Sequence, residues 1–116
     1  MQTGLILDSA ITASSSLSSS TKAPEAGRLH LIGDTDAKSW KAKFDDAYQW
    51  LQVDFGNWTR VTGVAVQSRE YPKQWVASYS LTTSSTGELF EYVRNKTGAK
   101  KVQFFTGCTS GSSHCL

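Results

Sequence analysis

The hexapeptide WLQVDF, residues 50–55, constrains the fold most. Leu51, Val53 and Phe55 alternate with Trp50, Gln52 and Asp54. A period of two sends the two sets to opposite faces of a strand, one apolar and one mixed. A helix would scatter the apolar set around its circumference. The same period returns after a short turn in RVTGVAVQ, residues 60–67. There Thr62, Val64 and Val66 share one face, while Gly63 and Ala65 leave room on the other for a close-packed layer. Leu51, Val53, Phe55, Val64 and Val66 are therefore expected to face a core.

Further strands follow from the same reading. AITASSSL (10–17) alternates small and apolar residues without a breaker, with Ile11 and Leu17 in phase across a serine-rich strand edge. SYSLTTSSTGELFEYV (78–93) reads as a hairpin. Tyr79, Leu81 and Thr83 line its first arm, Gly87 makes the turn, and Phe90 and Tyr92 line the return. KKVQFF (100–105) is another strand. No long stretch repeats apolar residues at three and four, so little helix is expected. Many short strands separated by turns predict an all-β sandwich or barrel. The polar segment IGDTDAKSWKAKFDDAYQ, residues 32–49, reads as a long loop of interleaved charges, the kind of connection that often carries function.

The 116 residues make one domain, and 39% hydrophobic with 19% charged residues is globular composition. The net charge of +2 is small, with a local excess only at Arg94, Lys96, Lys100 and Lys101. Nucleic-acid binders show a stronger basic footprint, so nucleic acid is not expected as a partner. No run approaches a membrane-spanning length. Leu5–Leu7 is too short for a signal-peptide core and follows no Lys or Arg, so the chain as it stands is expected to lack a standard export signal. Cys108 and Cys115 would close only a small loop. Two N-x-[ST] sequons, Asn57-Trp58-Thr59 and Asn95-Lys96-Thr97, would be glycan acceptors in a secreted protein.

The order of motifs carries a resemblance. ITASSSLSSS, GRLHLIGDTDAKSWKAK, YQWLQVDFGNWTRVTGVAVQSR, KQWVASYSL and TGELFEY together resemble the discoidin domain, also called the coagulation factor 5/8 type C domain. The resemblance runs from about Leu7 to Gly107, which sets an incomplete domain at 1–107 and a divergent tail at 108–116. It implies a jelly-roll-like, galactose-binding-domain-like β-sandwich, extracellular or at the cell surface, without catalysis, that binds its ligand through loops at one end. Across the family those ligands are glycans, anionic phospholipids, collagen and other cell-surface proteins. The family usually bonds a cysteine before its first strand to one at the domain's end. Residues 1–7 hold no cysteine, and the closing strands are not matched.

The resemblance assigns three ligand-binding loops. The first, residues 19–27, presents Lys22, Ala23, Pro24 and Glu25 at its apex. Nothing large and apolar stands there, which argues against insertion into a membrane. The second, 36–49, offers Lys38, Lys41 and Lys43 beside Asp45 and Asp46 as a basic rim. The third, 68–75, offers Arg69, Tyr71 and Lys73, and Arg with Tyr is the pair most typical of interface hot spots. Lys22, Glu25, Lys38, Lys41, Lys43, Arg69, Tyr71 and Lys73 are the expected ligand-binding residues. Trp40, Trp50 and Trp75 are expected to pack as scaffold, and Trp58, at a turn, has no assigned role. Arg28 is expected in a buried ion pair with an acid such as Asp54, and His30 beside it as a scaffold residue or a sugar contact. No cofactor is expected. Asp34-Thr35-Asp36 resembles the start of a calcium loop without the glycine or distal glutamate, so a structural calcium remains open. Cys108, His114 and Cys115 are one ligand short of a closed zinc site.

Enzyme motifs are missing: no G-x-S-x-G, no phosphate-binding glycine loop and no H-E-x-x-H. The expected function is a non-enzymatic recognition module for cell adhesion, binding a cell-surface or extracellular-matrix protein. The alternative is a lectin of the same fold for galactose- or fucose-type glycans, with anionic phospholipid a further option.

Overall fold

Ile11 pairs with Val53 and Ala13 with Leu51, which confirms the strand character of both segments. The computed structural model describes residues 5–18, 22–29, 39–67 and 74–104, with residues 102–104 described by backbone alone. β1 (Ile11–Ala13) and β2 (Leu51–Val53) form a two-stranded antiparallel sheet. Backbone hydrogen bonds continue its ladder at both ends, from Asp54 N–H to Ala10 O at 2.8 Å and from Ser14 N–H to Trp50 O at 3.0 Å. Ile11 is 3% exposed and is the most buried of the core residues.

The chain divides into two compact units, 1–73 and 74–116. In the second, β3 (Ser78–Ser80) pairs antiparallel with β6 (Val102–Phe104), and β4 (Thr82–Thr83) with β5 (Glu91–Tyr92). Of the hairpin read from residues 78–93, Ser78–Ser80 pairs with β6 instead of the return arm, whereas the part from Leu81 to Val93 is present. Its turn is organised by two hydroxyls: Ser84 Oγ accepts from the amides of Thr86 and Gly87, and Thr86 Oγ1 from those of Glu88 and Leu89. Gly87 has φ of +79°, the left-handed conformation expected of the turn residue. A second turn follows, where Arg94 bridges Lys100, Asn95 N–H donates to the Ala99 carbonyl and the Asn95 carbonyl accepts from Gly98 N–H. Lys100 Nζ lies 3.9 Å from the centroid of the Tyr92 ring, a cation–π contact.

No α-helix occurs among the described residues; two 3-10 turns, Asp8–Ala10 and Pro24–Gly27, take its place. Two expectations require correction. Residues 61–67 form no strand, and Phe55 and Val64 are exposed rather than core-facing. From residue 55 to 66 no backbone hydrogen bond joins this segment to another among the described residues, so its alternating pattern has no partner strand among them. Leu51, Val53 and Val66 are half-buried.

Candidate functional site

Two serines at the end of β1 build the site. Ser14 Oγ and Ser15 Oγ both donate to Gln49 Oε1, at 2.8 and 2.7 Å. Ser15 Oγ accepts from the Lys43 amide at 3.0 Å, and Ser14 Oγ from the Trp50 amide at 3.0 Å. The Ser15 carbonyl accepts from the Trp40 indole at 3.0 Å, and Leu17 N–H donates to Lys41 O at 2.9 Å. Residues 40–43 and 49–50 of the loop are thus sewn to residues 14–17. Within the loop, Asp46 Oδ1 accepts from Gln49 Nε2 at 2.9 Å and from the Tyr48 amide at 2.8 Å. Those hydrogen bonds, Gln49's foremost, hold the Asp46 carboxyl below its ordinary pKa, against a smaller opposing effect of desolvation.

What this frame presents outward is a mixed surface. Lys41, Lys43, Asp45 and Asp46 are exposed. Beside them stand Phe44, Tyr48 (86% exposed) and Trp50. Lys43 Nζ sits 5.6 Å from the Phe44 ring centroid. Phe44 and Tyr48 are the functional candidates that the charge pattern concealed. Their signal was an aromatic pair four residues apart inside a loop otherwise rich in charge.

The first loop differs from expectation. Residues 24–27 coil into a 3-10 turn with Pro24 at its start, where a missing N–H does no harm. Lys22 is 7% exposed, and Ala23 and Ala26 are buried beside it. Lys22 is therefore built into the fold and does not project toward a ligand; Glu25 is half-buried. Gly27 lies so close to Leu51 and Trp40 that a methyl group there would meet Leu51 Cδ2 at 3.1 Å and Trp40 Cβ at 3.4 Å. That close approach sets the base of the first loop against the start of the second.

Arg28 is ion-paired as expected but half-buried, and its partner is the exposed Asp8, at 2.7 Å, and not Asp54. It also donates to the Ile6 carbonyl. Asp54 instead caps its own turn, accepting from the Gly56 amide at 2.8 Å. Trp40 packs half-buried as scaffold, whereas the rings of Trp50 and Trp75 are half exposed. For Trp50 it is the backbone, paired with Ser14, that serves the scaffold. Trp58 is 91% exposed. Lys38, Arg69, Tyr71 and Lys73 lie outside the described residues, as do His30, Asp34, Asp36, Cys108, His114 and Cys115.

The comparisons with known proteins agree with this architecture. The model of the F5/8 type C domain matches residues 10–111. The chain is 45% identical to coagulation factor VIII of Canis lupus familiaris over 118 aligned residues, covering 97% of this chain and 5% of that protein. It is 42% identical to coagulation factor VIII of Sus scrofa over 88 residues, 69% of this chain and 4% of that protein. To lactadherin of Rattus norvegicus it is 37% identical over 121 residues, 98% of this chain and 27% of that protein. The chain belongs to the F5/8 type C, or discoidin, domain family. Its small antiparallel sheets are parts of an all-β sandwich. It spans well under a third of the length of each of these relatives.

Proposed function

We propose that the chain is a non-enzymatic, extracellular recognition module that attaches to a cell-surface or matrix protein through the loop 39–50. The observation that carries this reading is the exposed set Phe44, Tyr48 and Trp50, interleaved with Lys41 and Lys43, on a loop hydrogen-bonded to residues 14–17. Aromatic anchors on a pre-ordered frame bind without a large loss of conformational entropy. The relatives support the class of protein, a ligand-binding domain of larger proteins. The charge of the loop supports a protein ligand over an anionic membrane. Lys41 and Lys43 are balanced by Asp45 and Asp46, which leaves no positive field to draw in acidic lipid.

Immobilised chain presented to cells tests this directly. Attachment should vanish after the cells are treated with protease, and should fall at least about tenfold in Tyr48→Ala or Phe44→Ala, as expected of hot-spot aromatics. Attachment that survives protease but not glycosidase would replace this reading with the lectin. Binding to protein-free vesicles rich in acidic lipid would replace it with the membrane.

A further inference from the structure

The turn after β2 holds a feature that ligand attachment through the loop 39–50 does not use. Phe55, Gly56, Asn57, Trp58 and Thr59 follow one another there. Gly56 has φ of +71°, and the Asp54 carboxylate caps its amide, so the turn is defined by the backbone. Asn57 is exposed, and among the described residues no hydrogen bond engages its side-chain amide. Phe55 is 43% exposed and Trp58 91% exposed. The indole and the phenyl ring together offer a small apolar patch open to solvent on either side of Asn57.

We propose that Asn57 is an N-glycosylation site whose first sugar residue rests on the Phe55 and Trp58 rings. The sequon chemistry is complete: an Asn acceptor, a non-proline second residue and Thr59 at the third. In the transfer, Asn57 Nδ2 attacks the anomeric carbon of an oligosaccharide carried on a polyprenyl pyrophosphate. The N–C bond forms, the C–O bond to pyrophosphate breaks, the lipid pyrophosphate leaves with that electron pair, and the amide nitrogen gives up one proton. No oxidation or reduction is involved. The apolar C–H face of a pyranose matches an aromatic ring, and two rings, two residues before and one after the acceptor, bracket the attached sugar. Burial of their faces under the glycan removes apolar area from water.

The other sequon is built differently. Asn95 Oδ1 accepts from Thr97 N–H, Thr97 Oγ1 and Ala99 N–H, at 3.0, 2.7 and 3.0 Å, so its side chain forms part of the turn it occupies. Asn57 has no such structural duty.

The proposal rests on the extracellular placement given above, and the test separates the two. The chain is secreted from cultured eukaryotic cells behind a cleavable leader, so that natural export is not at issue. It is then deglycosylated by an amidase in heavy-oxygen water and digested with trypsin. The peptide 44–60 contains Asn57 as its one asparagine. It should carry heavy-oxygen aspartate at that position, and should lose the label in Thr59→Ala while keeping it in Thr59→Ser. An unmodified Asn57 in the secreted chain overturns the site and leaves the binding function of the loop 39–50 untouched. Acrylamide quenching of tryptophan fluorescence should rise when the glycan is removed from the wild type and stay unchanged in Trp58→Ser. Equal quenching before and after removal in the wild type overturns the aromatic seat.

Discussion

At the scale of single residues, two exposed carboxylates act on different parts of the structure. Asp8 is largely exposed but its partner Arg28 is only 9% exposed. The guanidinium has given up most of its water and depends on the carboxylate and the Ile6 carbonyl in its place. Asp8→Ala should therefore destabilise the fold by about 1–3 kcal/mol, since a buried charge left with fewer partners costs more than an exposed pair contributes. A lowered urea midpoint at unchanged slope would show it. Arg28→Met, which removes the charge and keeps the stem, should be milder, and a larger loss in Arg28→Met than in Asp8→Ala would refute the desolvation argument. Asp46 is fully accessible, and its effect is on the loop rather than on global stability. Its folded pKa lies below the ordinary 3.8. A depressed carboxylate contributes fully above its unfolded value and loses the contribution as pH falls through the folded one. The loop should thus hold its form down to about pH 4 and loosen only below it. A carboxyl titration by NMR should place Asp46 below 3.8, and Gln49→Met should move it upward. A midpoint unmoved by that substitution would show that Gln49 is not the cause.

At the scale of elements, Ser15 decides whether the loop 39–50 is a platform or a floppy connection. It donates to Gln49, accepts from the Lys43 amide, and lends its carbonyl to Trp40. Ser15→Ala removes the first two and should cost about 1–2 kcal/mol locally. Amide exchange at Leu17, whose N–H bonds Lys41 O, should accelerate by roughly 5–30-fold. Exchange at Thr12, which stands opposite Gln52 in the middle of the β1–β2 ladder, should stay slow, and equal acceleration at both would show global rather than local loosening. The strand pattern made β1, β2, β6 and the hairpin readable from sequence, because period-two alternation and a turn glycine are local signals. The serines of 14–16 read as a strand edge from the same pattern. Their anchoring role was not readable, because their hydrogen-bond partners lie some 30 residues away. Residues 61–67 show the converse. The alternation of Thr62, Val64 and Val66 is genuine, but a pattern specifies which face would be buried and cannot supply the partner strand.

At the scale of the whole molecule, the family was legible because its motifs run in order across nearly the whole chain, and the match over 10–111 rests on the same residues. The site was legible only in outline. Charge drew attention to Lys41 and Lys43, and both are exposed in the loop that the frame supports. Charge also drew attention to Lys22, which is instead buried, as are Ala23 and Ala26. Phe44 and Tyr48 escaped notice because aromatics are read as core unless a structure shows them outside. This arrangement fixes how attachment should respond to salt. The chain carries a net charge of only +2, and the acids and bases of the loop 39–50 cancel. Screening beyond a Debye length of about 8 Å then removes little attraction. Attachment of cells to the immobilised chain should change by less than about threefold between roughly 0.05 and 0.5 M salt, because apolar burial of Phe44 and Tyr48 carries it. A basic rim acting as a charge site would instead release its ligand steeply over that range. A loss of about tenfold or more, accompanied by an equal loss in Lys41→Ala and Lys43→Ala, would show that the lysines and not the aromatics hold the ligand.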